Sequence, residues 1–133
     1  MALVLDTHAA IWYLSDSTQL SPTARIIIAT EEKNGESIFV SAISLVEVIY
    51  LAERGPLPSA ALQSLEDALR DPAGSMVVAP LDAAVAEAVQ KISRDAVPDM
   101  PDRIIAATAV HLNAELVTRD RRLQAALGNR SVW

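Results

Sequence analysis

Five acidic residues fall where a folded chain could gather them: Asp6, Glu47, Asp99, Asp102 and Asp120. Asp6 closes the apolar run Ala2-Leu3-Val4-Leu5, and Asp120 follows Leu116-Val117-Thr118 by two residues. Glu47 lies within the first two turns after Ser37-Ile38-Phe39-Val40-Ser41, while Asp99 and Asp102 open a helical stretch. In a parallel sheet, ligands collect at the carboxyl ends of the strands, and the N-termini of the returning helices lie along that same edge. All five acids are therefore expected on one rim. Carboxylates crowded into a partly buried cleft repel one another and hold each other's pKa up unless a cation is present. Mg²⁺ or Mn²⁺ suits such a site, because these ions prefer oxygen ligands and are held by one or two carboxylates together with water and substrate phosphate oxygens. The implied chemistry is metal-assisted hydrolysis of a phosphate ester, in which the ion polarises the phosphoryl group and acidifies a water that a spare carboxylate orients or deprotonates.

Each acid also has a plainer reading. Asp6, Asp99 and Asp102 fit helix N-termini, where an acid accepts from free amides and complements the helix dipole. For Asp99 that capping role is favoured, and for Asp102 the ligand role. Glu47, beside Val46 and Val48, is costly without a partner if buried and unremarkable if it faces solvent. Asp120 between Arg119 and Arg121 could be a locally paired turn residue. His8 and His111 read as packed or solvent-facing side chains, since neither has a second His nearby in sequence.

The elements that must position these groups alternate in type. Strands are expected up to Asp6, at Ser37 to Ser41, at Met76 to Ala79, at Leu116 to Thr118 and at Ser131 to Trp133. Helices are expected from Thr7 to Leu14, from Ser21-Pro22 to Glu32, and from a Ser41 or Ser44 cap to Arg54-Gly55-Pro56. A helix capped by Ser59 carries Leu62, Leu65 and Leu69 on one face, and one capped by Asp82 carries Val85, Val89 and Ile92. The helix beginning in Pro98-Asp99-Met100-Pro101-Asp102 continues through Ile104, Ile105, Thr108 and Leu112, and a short one runs from Asp120 to Leu127. This alternation implies parallel pairing with right-handed crossovers: an α/β chain folded as a three-layer α/β/α sandwich around a parallel sheet of four to five strands.

Composition narrows the class. The 133 residues are 51% hydrophobic and 21% charged with 4 Gly, which suits one globular domain over residues 1–133 and excludes disordered or low-complexity architecture. The formal charge is −6, yet the stretch from Arg103 onward holds five bases and two acids, so a basic end sits beside an acidic remainder. With no Cys, disulfides, zinc–thiolate sites and thiol catalysis are all ruled out. The first base is Arg25 and Asp6 interrupts the N-terminal apolar run, so neither a secretory signal nor a membrane span is expected, and a cytoplasmic location is.

Four stretches, taken together, resemble the PIN-domain ribonucleases, particularly the VapC-type toxins of bacterial toxin–antitoxin pairs. They are Leu3-Val4-Leu5-Asp6-Thr7-His8, Ser41-Ala42-Ile43-Ser44-Leu45-Val46-Glu47, Asp99-Met100-Pro101-Asp102-Arg103-Ile104-Ile105-Ala106-Ala107-Thr108-Ala109, and Leu116-Val117-Thr118-Arg119-Asp120. The resemblance implies an Mg²⁺- or Mn²⁺-dependent endoribonuclease with Asp6, Glu47, Asp102 and Asp120 as the acidic quartet and Asp99 as an additional acid. It also implies hydroxyls from Thr7 and Thr118 beside the site, a homodimer, and a cognate antitoxin that inserts a segment near the cleft. Where this subgroup often has an aromatic residue between the paired aspartates, the chain has Met100-Pro101.

Thr7, Thr118, Arg103 and Arg119 are expected to touch substrate, the arginines by gripping RNA phosphates. With five aromatic residues in all, no stacking platform for bases is evident, and Trp12, Tyr50 and Leu51 are assigned instead to a dimer or antitoxin surface. Two other functions fit parts of the pattern. A metal-dependent phosphatase or nucleotidase would keep the ion, although Asp6 is followed by Thr7-His8 rather than by a second nearby Asp, and Gly is scarce for a phosphate loop. A catalytically inert α/β interaction module would use the acids only as caps and surface charge.

Overall fold

The β-branched and leucine-rich runs form short strands, those at Leu3–Leu5 and Leu116-Val117 buried on both faces, and the capping residues between them start the helices. A computed structural model describes residues 2–133. In chain order the elements are β1 (Leu3–Leu5), α1 (Thr7–Leu14), α2 (Pro22–Lys33), β2 (Ile38–Ser41), α3 (Ala42–Arg54), α4 (Ser59–Arg70) and β3 (Met76–Ala79). There follow α5 (Ala83–Ala88) with a 3-10 turn over Val89–Lys91, α6 (Met100–His111), β4 (Glu115–Val117), α7 (Arg121–Leu127), a 3-10 turn over Gly128–Arg130 and β5 (Ser131–Val132). The five strands pair in parallel in the order β3-β2-β1-β4-β5. β1 is central, with Leu3, Val4 and Leu5 aligned on Ile38, Phe39 and Val40 of β2 and on Glu115, Leu116 and Val117 of β4.

Alternation along the strands splits the core in two. Leu3, Leu5, Ile38, Val40 and Val117 face one side, where Ala9 and Ile11 of α1, Ala24 and Ile28 of α2, Val48 of α3 and Leu65 of α4 close over them. Val4 and Leu116 face the other, covered by Ala88 of α5, Ile105, Ala106 and Ala109 of α6, and Leu123 of α7. The result is the expected three-layer α/β/α sandwich. Its small side chains let α6 lie close to the sheet, and the buried Thr108 hydroxyl is satisfied by donating to the Ile104 carbonyl at 2.7 Å.

Side-chain caps fix where the helices begin, and hence where the acids sit. Asp6, Ser21, Ser41, Asp82, Asp99 and Asp120 each accept a backbone N–H of the helix they open. Gly55 ends α3 at φ 97°, a left-handed conformation that suits glycine. Three local expectations are corrected. Ser59 is the first residue of α4 rather than its cap: Pro58, extended at φ −62°, takes the cap position and no side chain bonds the free amides. The helix after Asp82 stops at Ala88 instead of reaching Ile92, and the chain tightens into a 3-10 turn whose Val89 and Ile92 carbonyls are taken by Arg103. Trp133 lies beyond β5, with its ring packed on Trp12.

Candidate active site

Beyond the carboxyl ends of the strands lies a cleft of about 800 Å³ whose lining includes Asp6, Glu47, Asp99, Asp102 and Asp120. All five acids expected on one rim thus share one cavity, although they belong to four different segments of the chain.

Backbone geometry holds several of them by one oxygen. Asp6 leaves β1 as the N-cap of α1: Oδ1 accepts the Ala9 amide at 2.9 Å and Oδ2 accepts the Thr118 hydroxyl at 2.5 Å. Asp120 caps α7, with Oδ1 shared between the amides of Arg122 at 2.8 Å and Leu123 at 3.1 Å. Asp99 caps α6 and accepts the Asp102 amide at 3.1 Å. Glu47, in the second turn of α3, accepts the Thr7 hydroxyl at 2.6 Å, and Thr7 also shares a hydrogen bond with the buried Ser44 hydroxyl at 2.9 Å. Asp102 differs from the rest. No group among the described residues hydrogen-bonds its carboxylate, which opens into the cleft.

This arrangement leaves negative charge uncompensated. The Asp102 carboxyl is pushed up to about 7, first by burial and then by Asp99, Asp120, Glu47 and Asp6 in turn. Burial also raises Asp6, against the lowering effect of its bonds to Thr118 and Ala9 and of His8, with Asp120 raising it further. Glu47 is raised by burial and by Asp99 and Asp6, and lowered by Thr7 and His8. The donors are all hard carboxylate oxygens in mutual repulsion, a set that suits a hard divalent cation and offers nothing to a thiophilic one. Among the described residues, however, no three acidic or imidazole groups stand close enough to surround an ion directly. A cation here would keep much of its coordination as water and substrate oxygen, the habit of Mg²⁺.

The residues expected to touch substrate divide differently. Thr7 and Thr118 are buried, and their hydroxyls are committed to the acids: Thr118 donates to Asp6 and accepts the Asp120 amide at 3.0 Å. In this arrangement both hydroxyls hold carboxylates in place. Arg103 is absent from the cleft lining. Its guanidinium turns away from the cleft and donates to the carbonyls of Val89 at 3.1 Å and Ile92 at 2.8 Å, and its buried Nε has no partner. Arg119 does line the cleft, with its guanidinium carbon 4.5 Å above the Trp12 ring.

Sequence reasoning missed the aromatic side of this cavity. Trp12 and His8 both line it, and their rings lie 5.3 Å apart. The available signal was their i, i+4 spacing on α1, which puts them on one face with the helix start held by Asp6. Trp12 therefore belongs to the cleft and not to an outer surface with Tyr50, which is 62% exposed.

Comparison with known proteins matches this geometry. Residues 3–128 fit the sequence profile of the PIN domain. The chain is 33% identical over 128 residues to Ribonuclease VapC22 of Mycobacterium tuberculosis, covering 92% of this chain and 90% of that protein. Its fold is similar to the DNA-bound VapBC structure from Salmonella typhimurium, with TM-score 0.72, 21% identity, and 99% and 97% of the two chains covered. It is likewise similar to VapBC2 from Rickettsia felis bound to a fragment of its promoter, with TM-score 0.70, 18% identity, and 95% and 93% covered. A profile spanning nearly the whole chain and a relative at one-third identity agree with the five-strand parallel sheet in placing it: the chain belongs to the PIN-domain family.

Proposed function

We propose that this protein is a metal-dependent endoribonuclease that hydrolyses RNA phosphodiester bonds and serves as the toxin of a toxin–antitoxin pair. The observation that carries this reading is the uncompensated Asp102 carboxylate in a cleft lined by four further acids at the carboxyl edge of the sheet. The kinship with Ribonuclease VapC22 supports RNA as substrate, and the VapBC neighbours support an antitoxin as partner. A homodimer working in the cytoplasm completes the proposal. Among the described residues no helix is long and apolar enough to cross a membrane.

Asp6, Asp102 and Asp120 would hold Mg²⁺ or Mn²⁺ in part through its bound waters, with Glu47 beside them and Asp99 kept chiefly to capping α6. The ion's contribution would be Lewis acidity, drawing charge from the phosphoryl oxygens and making a nearby water easier to deprotonate. Glu47, one oxygen fixed by Thr7 and its pKa raised by burial, is suited to take that proton on the other oxygen. Asp6 is fixed on both oxygens by Ala9 and Thr118, so its place relative to Asp120 is set before substrate arrives. The deciding experiment is cleavage of RNA by the purified protein with Mg²⁺, with a chelator, and by Asp6→Asn. Cleavage that needs the ion and fails in the variant is expected. Equal cleavage in all three, or turnover of mononucleotides with RNA left intact, would reject the proposal.

A further inference from the structure

A guanidinium in a cleft lined by five carboxylates would ordinarily pair with one of them. Arg119 does not: its guanidinium lies over Trp12, and within the described residues no hydrogen bond or ion pair engages its N–H groups. Trp12 is itself fixed, only 9% exposed, with Trp133 against it at 6.0 Å in an edge-on arrangement and the exposed His8 ring tilted beside it. The indole therefore seats a planar cation whose fork of donors is unspent, on a side chain that is exposed. A planar fork of this kind matches a phosphate, and its face stacks on a nucleobase.

The geometry points to a nucleotide-gripping subsite in which Arg119, laid on Trp12 and flanked by His8, holds an unpaired nucleotide of the RNA next to the bond that is cut. The Arg119 N–H edge donates to the backbone phosphate flanking the scissile one, and its other face receives the base. Only an unpaired base can present its face in this way, so the subsite selects single strands and loops over duplex. Trp12 is a positioning residue, because it acts by holding Arg119 flat. This assignment rests on reading the acidic cleft as a ribonuclease site.

Both tryptophans of the chain lie in this cluster, so intrinsic fluorescence reports on it locally. The probe is a random-sequence single-stranded RNA of roughly 12 nucleotides, long enough to span such a subsite, titrated into chelator-treated protein to prevent cleavage. Saturable quenching is expected for the wild type and for Asp102→Asn. Binding to Arg119→Ala should be weaker by about tenfold or more, the loss of one stacked base and its phosphate. Arg119→Lys, which keeps the charge on an exposed side chain but loses the plane, should recover only part of that loss, and Trp12→Phe should fall between. With Mg²⁺ present, Arg119→Ala should raise KM about tenfold and leave kcat within about a factor of three, the split expected of a binding contact.

An Arg119→Ala protein that binds and turns over RNA like the wild type overturns the subsite and leaves the ribonuclease reading intact. Equal quenching by single-stranded and fully duplex RNA overturns the stacking role. Arg119-dependent quenching by a wild type that never cuts RNA supports the subsite and overturns the ribonuclease reading. Neither quenching nor cutting overturns both.

Discussion

Asp102→Asn should make the metal-free protein more stable at pH 8, although it removes a residue assigned to the active site. The Asp102 carboxyl moves from an ordinary value of 3.8 to about 7 on folding. Between those values the folded state holds more protons than the unfolded one, so the wild type loses stability as pH rises through that window. At about 1.4 kcal/mol per pH unit, full enclosure would cost about 4 kcal/mol above pH 7. The side chain is only half-buried, and solvent screening reduces this to ~1–2 kcal/mol. Asn also gives up the favourable charge in the first turn of α6, worth about 0.5 kcal/mol. The net gain is about 1 kcal/mol, a rise in Tm of roughly 3–5 °C for a domain of this size. Urea unfolding in chelator at about pH 8 and about pH 4 reads it directly: the gain should be present at the first and nearly absent at the second. A variant less stable than the wild type at pH 8, or a gain of equal size at both, would refute the account of crowded charge.

Millimolar Mg²⁺ should raise the Tm of the wild type beyond the effect of equivalent ionic strength from NaCl, and should do so less in Asp102→Asn; thermal scans showing equal shifts would count against a cation site. Thr118→Val removes the donor to Asp6 and the acceptor for the Asp120 amide, so RNA cleavage should fall about tenfold or more with a stability loss of about 1–3 kcal/mol, checked by kinetics and denaturation together. Arg103→Met should destabilise the fold by about 1–3 kcal/mol through the stranded Val89 and Ile92 carbonyls while leaving the KM for RNA unchanged. Replacing Asp120 by Asn, another good cap, should cost activity far more than stability, whereas Ala should cost both, with about 1 kcal/mol lost from α7.

Helix starts were legible because the signal is local: Asp6, Ser21, Asp82, Asp99 and Asp120 announce themselves by type and by the pattern that follows. Strand identity was legible for the same reason, since runs such as Ile38-Phe39-Val40 are fit for little else. The early end of α5 was not, because the group that takes the Val89 and Ile92 carbonyls just beyond it comes from α6, out of reach of any local pattern. The acids could be placed on one edge by topology alone. The direction of individual side chains could not, so neither the turn of Arg103 toward the Ile92 carbonyl nor the bond from the Thr118 hydroxyl to Asp6 was readable in advance. The aromatic wall of the cleft escaped because it joins α1 to residues more than a hundred positions away.

Three of the acids in the cleft are also the caps of α1, α6 and α7. Ordering these carboxylates and starting those helices are therefore a single event, and the rotamer freedom each acid gives up is surrendered during folding rather than on encounter with a ligand. The cavity cannot slacken while the helices stay wound. Amide hydrogen exchange at Ala9, Asp102 and Leu123, whose N–H groups those acids accept, would then follow the rigidity of the catalytic floor one residue at a time.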